Sequence, residues 1–187
     1  MKKALIIGSE GNIGKPLAEY LRISGFSVLE SDHKPAWRDN FIMADICNPG
    51  DLRPAFDWQP DYVFLLAAMV SRVTCEQASS LAVQTNLTGV QNVLDLTKRS
   101  GSKLIYLSTS EVYGPDMPVM SENEVPNPNN RYGLTKYLSE YLVEYEVRQY
   151  GLRAVTLRPF MIYDENENFG DHRSAMIRFA YNLAVGS

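Results

Sequence analysis

The chain has 187 residues, 45% of them hydrophobic and 21% charged, with a formal net charge of −4 at pH 7. These values suit one well-packed domain, and an acidic balance with no basic cluster argues against a nucleic-acid partner held by phosphate neutralisation. Two cysteines, Cys47 and Cys75, and an N-terminal apolar stretch broken at Gly8 point to reduced thiols in a soluble cytoplasmic protein, since that stretch is too short for a signal segment or a membrane span.

A first strand is expected over 3–7, followed by Gly8-Ser9-Glu10-Gly11-Asn12-Ile13-Gly14 and a helix over 12–24. Glycines at this spacing serve a tight turn, close backbone approach to a pyrophosphate, and packing of helix on strand, with phosphate held at the helix N-terminus. The pattern alone also fits an ordinary strand-to-helix turn. A second strand is expected over 26–30. Asp32 beyond it stands where a carboxylate would accept from the adenosine ribose hydroxyls and repel a 2′-phosphate, which favours NAD over NADP. His33 and Lys34 weaken that preference, and a plain polar turn residue is the alternative.

The run over 61–67 has no polar/apolar alternation, as expected of a central strand covered on both faces. A helix over 79–99, a strand over 103–108, a helix over 132–150 and a strand over 153–158 follow. Between Gly114 and Asn130, four prolines mark a surface loop. A last helix over 173–185 stops at Gly186-Ser187 with no closing strand after it. This rhythm implies an α/β fold, a Rossmann-type doubly wound parallel sheet with helices on both faces, in one NAD-binding domain over 1–187.

Two separated segments carry chemistry. Ser108-Thr109-Ser110-Glu111 closes an apolar run, so Thr109 points into the crevice where ligands of parallel sheets bind and could hold a substrate hydroxyl. Tyr132 and Lys136 are four apart on a helix and share one face, where an ammonium would lower the tyrosine pKa toward that of a general base. A surface pair is the plain alternative for these two, and a solvent-facing or salt-bridged acid for Glu111. Tyr137, Tyr141, Leu142 and Tyr145 on the same helix read as a core stripe or as an interface. No metal site is expected.

Taken together, Gly8-x-x-Gly11-x-x-Gly14, Asp45-Ile46, Leu66-Ala67-Ala68, Asn86, Ser108-Thr109-Ser110-Glu111-Val112-Tyr113-Gly114, Tyr132-x-x-x-Lys136 and Arg158-Pro159-Phe160 resemble the extended short-chain dehydrogenase/reductase family, especially its NAD-dependent nucleotide-sugar epimerases, dehydratases and decarboxylases. The resemblance implies that Asn12 and Ile13 lie with Gly8, Gly11 and Gly14 in the cofactor loop and that Asp45 and Ile46 contact adenine. It further implies that Leu66, Ala67, Ala68 and Phe160 line the cofactor, that Lys136 holds the nicotinamide ribose, and that Asn86 is an active-site or structural polar residue. The plain alternative for Asn86 is a mid-helix side chain facing neighbouring backbone. Met161 stands where the family has Asn, and Tyr163-Asp164 where it has Tyr-Gly. Family members run past 187 residues, so a C-terminal substrate lobe is expected to be missing here.

The expected activity is modification of a nucleotide sugar through a 4-keto intermediate, by a 4-epimerase, 4,6-dehydratase or decarboxylase, with NAD recycled. Tyr132 would be the general base and Glu111 the acid/base of the second step, where the ketone at C4 acidifies C5–H. The resemblance also implies a homodimer paired through its long helices. Alternatives are a net NAD(H)-dependent oxidoreductase on a non-sugar alcohol or ketone, and a dinucleotide-binding protein without chemistry.

Overall fold

Six short apolar segments pair in parallel into one sheet in a computed structural model that describes residues 1–115, 119–163 and 175–185. The strands are β1 (Lys3–Ile7), β2 (Ser27–Asp32), β3 (Phe41–Met43), β4 (Tyr62–Leu65), β5 (Lys103–Leu107) and β6 (Ala154–Leu157), in spatial order β3-β2-β1-β4-β5-β6. The order reverses between β1 and β4, whose register pairs Ile7 with Leu65. Ligands of open parallel sheets bind at such a reversal, outside the carboxyl ends of the strands.

The side-chain period of two splits the strand residues between two cores. Leu5, Ile7, Leu29, Val63, Leu65, Leu104 and Tyr106 face one side. That side is covered by α2 (Pro49–Asp57), α5 (Val90–Ser100) and α6 (Arg131–Tyr150), which contribute Leu52, Phe56, Val93, Leu94 and Val143. Ala4, Ile6 and Val28 face the other side, under Ala18 and Leu21 of α1 (Gly14–Ile23). Helices therefore lie on both faces, as a doubly wound fold requires.

Three elements escaped the sequence reading: β3, α2 and the short α3 (Arg72–Gln77). Each has a local cause. β3 has three residues, α3 has six, and α2 carries Pro49 at its start and Pro54 inside, which interrupts helical periodicity. Asn48 caps α2, its Oδ1 accepting from the Gly50 N–H at 3.1 Å. The helix expected over 79–99 is α4 (Ser79–Val83), a π-helical turn at Gln84–Gly89, and α5. Strand β2 begins and ends later than 26–30 and contains Asp32. The final helix, α7, is Ala175–Val185; the expected stop at Gly186-Ser187 and the Asp164 position lie outside the described residues. Among the described residues no helix is long and apolar enough to cross a membrane.

Candidate active site

The loop after β1 turns back on the sheet because Gly8 has φ +98°, a conformation open to glycine, and a Cβ there would sit 2.5 Å from the Ala67 backbone nitrogen. The Gly8 and Ser9 N–H groups both donate to the Ser31 carbonyl, at 2.8 and 3.1 Å. A Cβ on Gly14 would strike the Gly8 carbonyl and lie 2.6 Å from Ser9 Cα, so α1 can start against this loop only with glycine there. Gly11, Asn12 and Ile13 complete the approach to α1. Within this cradle the buried Ser9 hydroxyl has no hydrogen-bond partner among the described residues. Leu66 and Ala67 donate their N–H groups to the Ile7 carbonyl, which seats Leu66-Ala67-Ala68 on the far side of the same crevice. A free helix start, an orphaned buried hydroxyl and a backbone that leaves no room for side chains fit a dinucleotide pyrophosphate.

Asp32 closes this region. Its Oδ2 accepts from the Glu10 N–H at 2.9 Å, and its Oδ1 accepts from the Lys34 N–H at 3.0 Å and lies 3.1 Å from His33 Nδ1. Asp45 is exposed and its Oδ1 accepts from the Cys47 N–H at 2.9 Å, while Ile46 is buried in the main core. The Asn86 amide is fully engaged by protein: Oδ1 accepts from the Met69 N–H at 2.8 Å, and Nδ2 donates to the Met69 carbonyl at 3.0 Å and to Thr135 Oγ1 at 2.9 Å. Asn86 thus ties the loop after β4 to α6 and leaves no donor for a ligand.

The two chemical segments meet at the carboxyl end of β5. Thr109 follows β5 and caps a 3₁₀ turn at Ser110–Tyr113, its Oγ1 accepting from the Glu111 N–H at 3.2 Å. Asn130 caps α6, its Oδ1 accepting from the Gly133 N–H at 2.9 Å, and so fixes where Tyr132 enters. The half-buried Tyr132 hydroxyl lies close enough to Thr109 for the threonine to lower its pKa. Its titration differs from the sequence reading. Burial pushes Tyr132 up to about 12, against the lowering influence of Thr109. Lys136 is only 2% exposed, with Nζ 4.3 Å from the centre of the Tyr106 ring. Burial pushes it down to about 7 against the opposing pull of Glu140. Desolvation therefore outweighs the expected lysine-on-tyrosine effect in both groups.

Several further residues build the site. Both Glu111 carboxylate oxygens are occupied: Arg72 donates from Nε at 2.8 Å and Nη2 at 2.6 Å, and Asn130 from Nδ2 at 3.0 Å. Glu111 is therefore salt-bridged to Arg72. A cleft of ≈ 240 Å³ opens beside this pair, lined by Arg72, Ser110, Glu111, Gly114, Met120 and Phe160 among others. Phe160 stacks on Tyr113 at 6.5 Å and is exposed toward the cleft, and the Arg158 guanidinium lies over the Tyr113 ring, 4.9 Å from its centre. Glu140, one turn beyond Lys136, receives Arg158 Nη2 at 2.7 Å and the Ser108 hydroxyl. Glu140 has a sequence signal, a charge four residues from Lys136 on its face. The partnership of Arg72 with Glu111, 39 residues away, has none.

The profile of the family described as "NAD dependent epimerase/dehydratase family" matches residues 4–186. The chain is 30% identical over 194 residues to a UDP-N-acetyl-alpha-D-glucosaminuronate decarboxylase from Bacillus cytotoxicus, covering 95% of this chain and 60% of that protein. It is 33% identical over 170 residues to the mitochondrial L-threonine 3-dehydrogenase of Bos taurus, covering 84% of this chain and 44% of that protein. The crystal structure of a UDP-glucose 4-epimerase from Brucella ovis in complex with NAD superposes with a TM-score of 0.87 at 28% identity, covering 100% of this chain and 62% of that one. The chain thus spans between about two fifths and three fifths of the lengths of these relatives.

Proposed function

The chain belongs to the NAD dependent epimerase/dehydratase family, whose cofactor is NAD, and from that premise we propose that it modifies a nucleotide sugar by passing through a 4-keto intermediate. The observation that carries this reading is the meeting of Thr109, at the carboxyl end of β5, with Tyr132, at the start of α6, in a sheet whose reversal point holds a glycine cradle. When bound, NAD supplies reversible hydride acceptance from a carbinol carbon. The chain's own residues handle the proton. Thr109 orients the sugar 4-hydroxyl, and Tyr132 removes its proton and later returns it.

A phenol at about 12 is almost wholly protonated at neutral pH, so positive charge must gather around Tyr132 during turnover to favour its phenolate. Lys136, one turn along the same helix and titrating near 7, is an adjustable cation for that purpose, and it would hold the ribose in the ternary complex. Glu111 is the acid/base of the second step, and Arg72 positions it. Glu111 Oε1 accepts only from Arg72 Nη2, so a lone pair on that oxygen is open to take the C5 proton. Residues 1–187 form the NAD-binding domain that carries this set, and a further lobe supplies most contacts to the sugar nucleotide. The protein works in the cytoplasm as a homodimer.

The test is incubation of the purified protein with NAD and a panel of UDP-, GDP- and dTDP-sugars, read by product mass and sugar NMR. Loss of water, loss of carbon dioxide, or inversion at unchanged mass each support the reading and name the reaction. Glu111→Gln should still reduce NAD transiently while making no product of altered mass, and Tyr132→Phe should abolish both. Unchanged turnover in Tyr132→Phe would remove Tyr132 from the chemistry.

The similarity to L-threonine 3-dehydrogenase supports a second reading, net oxidation of a small amino alcohol. NADH accumulating in proportion to substrate identifies that reading, because internal recycling leaves no net NADH.

A further inference from the structure

The phosphate loop of this chain contains an acid, Glu10, between its first two glycines. Its backbone N–H donates to Asp32 Oδ2 at 2.9 Å, which places it beside the acid at the end of β2. Its carboxylate faces Arg38, from the loop after β2, with Arg38 Nη2 to Glu10 Oε1 at 2.5 Å. The same guanidinium is held from the other side by Glu30, through Nη2 to Oε2 at 2.5 Å and Nε to Oε1 at 3.1 Å. Glu30 lies on β2 two residues before Asp32, on the same face of the strand, and is only 3% exposed. Arg22 of α1 adds a second cation to it, and Lys15 approaches Glu10 at 3.7 Å. A carboxylate buried this deeply needs such partners, so the network is anchored rather than solvent-swapped.

In dinucleotide folds the acid ending the second strand meets the adenosine ribose 2′-hydroxyl, and a nearby arginine is what accommodates a 2′-phosphate. Arg38 stands at the right corner for that second task, and its side chain is about a third exposed. Its Nε and Nη2, however, already donate to two carboxylates, which leaves Nη1 alone outside the clamp, and Glu10 and Asp32 together face any incoming phosphate with like charge. We propose that Glu10 and Glu30 sequester Arg38, so that cofactor choice for NAD over NADP is set by this carboxylate–arginine clamp together with Asp32 and not by Asp32 alone. The clamp takes up the Nε and Nη2 donors with which an arginine would grip a phosphate bidentately.

This inference depends on dinucleotide binding and not on the sugar reading, so it is tested without any sugar. Dissociation constants for NADH and NADPH are measured by cofactor fluorescence on the unaltered protein, on Glu10→Gln and on Glu10→Gln/Arg38→Met. Glu10→Gln should tighten NADPH by about tenfold or more, with NADH changing less than about threefold, and adding Arg38→Met should erase the gain. Glu10→Ser gives the same reading if the amide misplaces the loop, and thermal melts identify any variant that does not fold. An unchanged NADPH/NADH ratio in both folded Glu10 variants, a gain that survives Arg38→Met, or no binding of NADH by the unaltered protein would each overturn the proposal.

Discussion

Burial sets the charge of Lys136, and the consequence is measurable without any ligand. Its pKa falls from 10.5 to about 7 because its ammonium is desolvated under the sheet's carboxyl edge, with the Tyr106 ring as a partial partner. A folded-state value below the unfolded one means that the unfolded chain binds more protons between the two. Stability should therefore rise with pH from about 7 toward about 10, by up to about 1.4 kcal/mol per pH unit from this group, while below pH 7 the full cost of about 4–5 kcal/mol is present. Lys136→Met should remove that cost: urea denaturation at pH 6–7 should show a more stable protein, and the lysine's share of the rise above pH 7 should vanish. Activity should be lost at the same time, which would separate the residue's use in the site from its effect on the fold. Equal pH slopes for the two proteins would show that Lys136 is not desolvated as the geometry states.

Asn86 shows the same logic for an element. The π-helical turn at Gln84–Gly89 inserts one residue into the helical path and aims this amide across the crevice floor, where it holds both polar groups of Met69 and the Thr135 hydroxyl. Ser139 reinforces the junction by donating its hydroxyl to the Asn86 carbonyl. Removing one partner of a buried set leaves the others unsatisfied, so Asn86→Ala should destabilise by about 1–3 kcal/mol in chemical denaturation. Met69 follows Leu66-Ala67-Ala68, and the loosened loop should also weaken NADH binding. A variant as stable as the parent would mean that water replaces the amide at no cost. The stripe on α6 divides in the structure: Leu142 packs against the main core, whereas Tyr141 and Tyr145 are about half exposed.

At the scale of the whole molecule, those exposed tyrosines, with Leu134 and Leu138, give α6 an apolar outer face opposite the one that buries Thr135, Lys136 and Ser139. Replacing both Tyr141 and Tyr145 by Glu should convert a dimer to a monomer in sedimentation velocity, and a monomeric parent would remove the homodimer from the functional reading. The doubly wound sheet, the glycine loop, and the meeting of Thr109 with Tyr132 were legible from the chain itself. Strand burial, glycine spacing and helix periodicity are local signals that survive in one dimension, and the family resemblance ties distant motifs together. β3 and α2 were not legible, because three residues and a proline-interrupted helix leave too short a pattern to read. Neither was the charge logic. That Glu111 is held by Arg72, that Glu10 and Glu30 clamp Arg38, and that Lys136 titrates near 7 depend on which charges meet across the fold and how far water is excluded from them. Sequence alone determined the longer strands and helices and the glycine loop that opens α1; the tertiary structure decided the electrostatic state of the groups that meet at the sheet's carboxyl end, because desolvation and ion pairing are properties of three-dimensional neighbours.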